Sequence, residues 1–226
     1  MTLLIKICGL STPDTLDAAL TAGADMVGFV FFPPSPRNLS MDQARALGAQ
    51  AQGRALKVAL SVDADDAYID AMVEAARPDL LQLHGKESPE RAAALRRRTG
   101  LPIMKAVHVS ERADLSVCAA YEGAADRLIF DARPPKGAIL PGGNGAAFDW
   151  AILDHVPTTL PWMLSGGLGP DNVEAALAAT RAPGLDVSSG VERAPGVKDA
   201  GLIARFVAQA RAAHVRLGLG SAAVNA

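Results

Sequence analysis

Cysteine is scarce in this 226-residue chain: Cys8 and Cys118 are the only two. Two thiols cannot build a disulfide framework or a cysteine-rich zinc site, and a reduced, cytoplasmic setting suits them. Aromatic residues make up 4 % of the chain, and only Phe31 and Phe32 stand side by side. That is no platform for stacking bases. Charge of one sign is lacking too. The formal net charge is −2 and the longest basic run is "RRR" at 96–98, so no nucleic acid is expected as a partner. There is no apolar stretch of 18 residues, so no membrane span is expected. The opening "MTLLIKICGL" is apolar but short, carries Lys6 inside the run and has no cleavage pattern. No signal peptide is expected from it.

What the chain does have is a 50 % hydrophobic composition, enough for one good-sized core. The apolar residues fall in short runs: "LLIKICG" (3–9), "MVGFVFF" (26–32), "LKVALSV" (56–62), "LLQLHG" (80–85), "PIMKAVHV" (102–109), "RLIFDA" (127–132), "PWMLSGG" (161–167) and "GLDVSSG" (184–190). These lengths suit strands, and several runs are apolar on both faces, as in a sheet covered by helices. Helix signals lie between them. Ser11 or Thr12 caps "PDTLDAAL", and further helices are expected to start at Ser40, Asp63, Ser88 and Ser110. "GPDNVEAALAATRAPG" and "KDAGLIARFVAQARAAH" supply two more, while "AFDWAILDH" is the weakest. Eight strand–helix units argue for a single α/β domain closed into a (β/α)₈ TIM barrel over residues 1–216, with 217–226 a frayed tail. The competing arrangement is an open doubly wound sheet.

In a barrel of this kind catalytic groups come from the C-terminal ends of the strands. Here those ends carry Cys8-Gly9, the loop "PPSPR", His84-Gly85, Asp131, Ser165-Gly166-Gly167 and Asp186-Val187-Ser188-Ser189-Gly190. The loops after strands seven and eight are the usual phosphate site of the fold, because glycine lets backbone N–H groups approach an anion. Gly166, Gly167, Ser189 and Gly190 are the candidates. The plainer reading is that these glycines only make tight turns. Arg37 follows three prolines that stiffen its loop. Its guanidinium would suit a carboxylate bidentately, and otherwise it is a surface arginine.

Cys8 has several readings: a small buried hydrophobe, a nucleophile with His84 as its base, a metal ligand with His84 and Asp131, or a general base. No clustered ligand motif supports metal. As a base, Cys8 would need nearby cations to lower its pKa. Lys6, two residues earlier and on the same strand face, is one such cation, or else is paired with a carboxylate deep in the barrel. Asp131 ends an apolar strand. Desolvation there would favour the protonated form a general acid needs, unless it merely caps a helix or makes a salt bridge. After it, "ARPPKGAILPGGNGAA" is long, rich in glycine and proline and without helical pattern. Such connections are usually functional, and a lid is expected.

The stretches "KICGL", "GFVFFPPSPRNLS", "LLQLHGKESPE", "FDARPPKG" with "PGGNGAAFDW", "LSGGLGPDNVEAAL" and "LDVSSGVERAPGVKD" together resemble the phosphoribosylanthranilate isomerase family of tryptophan biosynthesis, in the family's order and over nearly the whole chain. The resemblance implies an Amadori rearrangement of N-(5-phospho-β-D-ribosyl)anthranilate without metal or other cofactor. It implies Asp131 as general acid, Cys8 as general base and Arg37 as holder of the anthranilate carboxylate. Asp186 would lie near the substrate amine, and His84 in the site with no proton-transfer role. One departure is "GGNG" at 142–145, where "GGTG" is the common form. Altered loop detail is expected rather than altered chemistry. The partner implied is a small phosphorylated molecule, with monomer and homodimer both left open. Two rivals stand beside this reading: another phosphate-binding barrel isomerase or aldolase, with Lys105 as the candidate Schiff-base lysine, and a non-catalytic barrel acting as an interaction partner.

Overall fold

In the computed structural model, residues 2–134, 137–138, 140–143, 145 and 147–220 are described. Asn144 of the loop motif and residues 221–226 of the expected tail lie outside them. Eight parallel strands close in sequence order into a barrel: β1 Leu4–Cys8, β2 Met26–Phe31, β3 Leu56–Ser61, β4 Leu80–Leu83, β5 Ile103–Val109, β6 Arg127–Ala132, β7 Trp162–Leu164 and β8 Gly184–Val187. The open-sheet alternative is thereby excluded. Around the barrel run α1 Pro13–Thr21, α2 Met41–Ala51, α3 Asp66–Ala76, α4 Pro89–Thr99, α5 Val173–Thr180 and α6 Ala200–Arg216. A short hairpin of β9 Glu192–Ala194 and β10 Val197–Lys198 sits after β8. No helix among the described residues is long and apolar enough to cross a membrane.

Local chemistry explains most boundaries. Thr12, Ser40 and Ser88 accept N–H bonds at helix starts, Ser40 within a full capping box. α4 ends on Gly100 at φ 71° after Arg96, Arg97 and Arg98. Three expectations shift. α3 is capped by Asp65 rather than Asp63. Asp63 is held outside the helix because its N–H donates to Glu87 and its carboxylate accepts from the Lys86 N–H. The helix expected from Ser110 is a 3₁₀ helix, Arg112–Tyr121, whose buried residues Leu115, Cys118 and Tyr121 recur every three positions. That spacing matches a three-residue turn rather than 3.6. The weak sixth unit is a 3₁₀ turn, Trp150–Leu153.

The barrel interior is layered. Leu4, Met26, Val58, Leu80, Met104, Ala106, Ile129 and Met163 plug the bottom. Above them Lys6, Gln82 and Asp186 form a buried polar layer. Parallel register places Lys6 beside Asp186, and Lys6 Nζ donates to Asp186 Oδ1 at 2.7 Å. Lys6 is therefore paired deep in the barrel. At the top, Cys8, Val30 and Leu60 pack with Phe32 and Val62. On the opposite face of β5 from Met104 and Ala106, Lys105 points into the helical layer. Its Nζ donates to Glu87 at 2.8 Å and to the Gly85 carbonyl at 2.7 Å. A buried ammonium committed to a carboxylate outside the barrel is no Schiff-base nucleophile, which removes the basis of the aldolase reading.

Candidate active site

Cys8 ends β1 buried at the barrel mouth, and it is followed by glycine for two physical reasons. Gly9 takes φ +76°, and a Cβ there would stand 2.6 Å from Arg37 Cδ. Across the strand pair, Gly28 leaves room for the thiol: a Cβ on it would come within 2.9 Å of Cys8 Sγ. Burial pushes the Cys8 thiol up. Lys6 pulls it down, less strongly, and Asp186 adds to the rise. Lys6 thus does what both readings of it expect: it lowers the thiol, and it is paired with Asp186. Its charge is neutralised by Asp186, and dehydration of the thiolate dominates. Alkylation of Cys8 by iodoacetamide should accordingly follow a titration whose midpoint lies above the ordinary thiol value of about 8.5. A midpoint at or below that value would contradict this electrostatic picture.

Asp131 faces the same cavity from β6. Its Oδ1 accepts the Ala132 N–H at 2.9 Å, and its Oδ2 lies 3.1 Å from His84 Nε2. His84 Nδ1 in turn lies 2.9 Å from Gln82 Nε2. All three side chains are buried. His108, on β5, stacks edge-on against His84 with centroids 5.3 Å apart. Burial, then the nearby His84, push the His108 imidazole down toward its neutral form. His84, His108 and Asp131 bring ligand-type atoms within 4.8 Å of one another. Cys8 is not part of that trio, so the metal set considered from the sequence is not assembled.

The loop after β6 lies over this acid. A Cβ on Gly142 would stand 2.5 Å from His84 Nε2 and 2.6 Å from Asp131 Oδ2. The described loop residues Leu140, Pro141, Gly142, Gly143 and Gly145 all line the cavity. Arg37 meets the same loop: its Nη2 donates to the Gly143 carbonyl at 3.2 Å. Its other contacts were not legible in the sequence. Nε and Nη2 donate to the two carboxylate oxygens of Glu192 at 2.7 and 2.8 Å. Lys198 Nζ bonds the same carboxylate at 2.6 Å and the Ser188 carbonyl at 2.9 Å. Burial raises the Glu192 carboxyl, but bonds from Arg37 and Lys198 outweigh it and hold it below the ordinary range. Arg37 is therefore not a free fork. Nε and Nη2 are taken up by Glu192 and the Gly143 carbonyl, and Nη1 is the guanidinium nitrogen left without a bond to a described residue.

The candidate phosphate residues are brought together. Gly166 takes φ +86° and Gly167 φ +65°, and neither backbone N–H donates to a described residue. A Cβ on Gly166 would lie 2.6 Å from the Ala132 nitrogen. One on Gly190 would lie 1.8 Å from the Leu168 carbonyl oxygen, so the loops after β7 and β8 are in direct backbone contact. Asn172 ties the first loop by accepting from the Gly169 N–H and donating to the Gly167 carbonyl, both at 2.8 Å. Asp186 is held from below by Lys6 and accepts from Ser165 Oγ at 3.2 Å. Glu192, Lys198, Ser188, Gln82 and Ser165 complete the surroundings. Ser165 and Ser188 stand among the strand-end residues named from the sequence, and Glu192 and Lys198 have a signal in "GVERAPGVKD", as charged residues in a glycine- and proline-bounded turn.

Fold and mouth together define a class: a closed (β/α)₈ barrel whose mouth holds a cavity lined by a thiol, carboxyls, an arginine and glycine-bearing loops. A family model for N-(5'-phosphoribosyl)anthranilate (PRA) isomerase matches residues 5–209. An N-(5'-phosphoribosyl)anthranilate isomerase of Nitrobacter hamburgensis is 59 % identical over 217 residues, 96 % of either chain. One from a Bradyrhizobium species is 62 % identical over 214 residues, 95 % of this chain and 98 % of its own. Among solved structures, phosphoribosyl anthranilate isomerase from Thermotoga maritima superposes with a TM-score of 0.82 at 32 % identity, covering 93 % of this chain and all of that one. A phosphoribosyl anthranilate isomerase in complex with reduced 1-(o-carboxyphenylamino)-1-deoxyribulose 5-phosphate gives 0.79 at 30 %, with the same coverage. The chain belongs to the N-(5'-phosphoribosyl)anthranilate isomerase family.

Proposed function

We propose that the protein isomerises N-(5-phospho-β-D-ribosyl)anthranilate to 1-(2-carboxyphenylamino)-1-deoxy-D-ribulose 5-phosphate, the isomerase step of L-tryptophan biosynthesis. The observation that carries this reading is the grouping of Cys8, Asp131, Arg37, Gly166, Gly167 and Ser189 around one cavity. Asp131 protonates the furanose ring oxygen. The C1′–O bond breaks as the anthranilate nitrogen lone pair forms a Schiff base. Cys8 then takes the C2′ proton, and the resulting enolamine gains a proton at C1′ while its C2′ hydroxyl gives one up, leaving the ketone. The cationic Schiff base acidifies C2′–H. It also adds positive charge beside the thiol to that of Lys6, and so favours the thiolate at the step where it is needed. Arg37 holds the aromatic carboxylate through Nη1, the nitrogen not bonded to Glu192 or Gly143, against the apolar wall of Val30, Phe32 and Leu60. Asp186 lies near the substrate amine, and backbone N–H groups at Gly166, Gly167, Ser189 and Gly190 hold the phosphate.

Two consequences follow for ligand binding. Arg37→Ala should raise KM more than it lowers kcat, the signature of uniform binding. An analogue lacking the carboxylate should lose far less from the substitution than the acid does, and equal losses would overturn the assignment. Inorganic sulfate should compete with substrate at the loops after β7 and β8. Gly167→Val should weaken it much more than Ser189→Ala, since valine strains at φ +65°. The proposal as a whole is tested by a crystal with the reduced product analogue. It requires phosphate density at Gly166–Gly167 and carboxylate density at Arg37, and the reverse orientation would contradict it.

A further inference from the structure

Gln82 has no place in the chemistry above, yet it is a fully buried amide in contact with His84, which in turn touches the general acid Asp131. It sits on β4 one layer below His84, facing into the barrel. Its Nε2 lies 2.9 Å from His84 Nδ1, while its Oε1 is buried without a hydrogen-bond partner. The other ring nitrogen of His84 meets Asp131 Oδ2 at 3.1 Å. A neutral imidazole offers one donor and one acceptor, so whatever bonds Nδ1 decides what Nε2 can do. An Asp131 carboxylate only accepts. The Gln82 amide nitrogen can only donate, so Nδ1 is its acceptor and the ring proton sits on Nε2, toward Asp131 Oδ2.

We propose that Gln82 is a positioning residue for the general acid: it locks His84 as the Nε2–H tautomer, a donor only. This rests on the reading of Asp131 as the acid. Two things follow from a donor-only His84. The proton of Asp131 is denied Nε2 as an acceptor, so it sits on the carboxyl lone pair that faces the cavity and leaves only toward the substrate ring oxygen. Once it has gone, the Asp131 carboxylate keeps two donors, His84 Nε2–H and Ala132 N–H, which stabilise the charge left behind. Glutamine suits this position because it donates without carrying charge. A glutamate there would accept from Nδ1–H and turn Nε2 into an acceptor that competes for the acid's proton.

The test reads the tautomer and the rate separately. Long-range ¹H–¹⁵N spectra of the wild-type enzyme, with the His84 signals assigned by their loss in His84→Asn, should show Nε2 protonated and Nδ1 bare. In Gln82→Met the two tautomers should mix, and in Gln82→Glu the proton should move to Nδ1. Both variants should lose about tenfold or more in kcat, within the span of a general acid's own contribution of roughly 10²–10⁴. KM should change little, because Gln82 does not line the cavity. Protonated Nδ1 in the wild type overturns the proposal, and that measurement needs no variant to fold. So does a Gln82→Met enzyme with mixed tautomers and unchanged kcat, or one whose loss lies in KM instead. A wild-type protein with the Nε2–H tautomer but no turnover would count against the proposed reaction rather than against the lock.

Discussion

Cys8→Ala should lower kcat by about 10²–10⁴-fold while leaving binding of the reduced product analogue nearly unchanged. Proton-transfer groups contribute rate on this scale, and an analogue already past the C2′ proton transfer makes no demand on the base. The fold should tolerate the change. Cys8 packs in a small cluster with Val30 and Leu60, and removing one sulfur atom there should cost about 1 kcal/mol. Lys6 and Asp186 remain paired beneath it, so no buried charge is stranded. A Cys8→Ala enzyme within a few-fold of wild type would sink the assignment of the base, whatever happened to KM.

Asp131→Asn should be comparably severe, about 10²–10⁴-fold in kcat, for a different reason. The amide preserves the shape and can still accept the Ala132 N–H that Asp131 Oδ1 accepts at 2.9 Å, but it has no acidic proton to give the ring oxygen. Ring opening then has no protein proton donor at this position. An open-chain analogue, which bypasses ring opening, should still bind. If Asp131→Asn instead raised KM and spared kcat, Asp131 would be a binding residue and the acid would have to be sought elsewhere.

How much of this was legible in the sequence depends on the length scale of the signal. Strand runs and cap residues are local, and they placed the barrel and helices such as α1, α2 and α4 to within a residue or two. The 3₁₀ helix at Arg112–Tyr121 is hard to tell from an α-helix in sequence, because Leu115, Cys118 and Tyr121 fit a period of three and also pass for a ragged helical face. The strand-end residues Cys8, His84, Asp131 and Asp186 could be listed because the fold sends strand ends to one mouth. Their pairings could not. Lys6 precedes Asp186 by 180 residues, and only closure of β1 against β8 makes them neighbours. Arg37 and Glu192 are 155 apart, so the arginine read as a free fork when one edge is already occupied. Gln82 looked like part of an apolar run, since nothing in "LLQLHG" says that the amide points inward beneath a histidine.

The central claim is that this protein converts phosphoribosylanthranilate to its ketose isomer. It is met most directly by adding the purified enzyme to freshly made phosphoribosylanthranilate and following the anthranilate-type fluorescence while products are separated. The expected result is a loss of fluorescence proportional to enzyme concentration, with one product of unchanged mass carrying a ketone at C2′ and no free anthranilate above the uncatalysed background. A fluorescence trace no faster than the spontaneous decay, or enzyme-dependent release of free anthranilate, would contradict it.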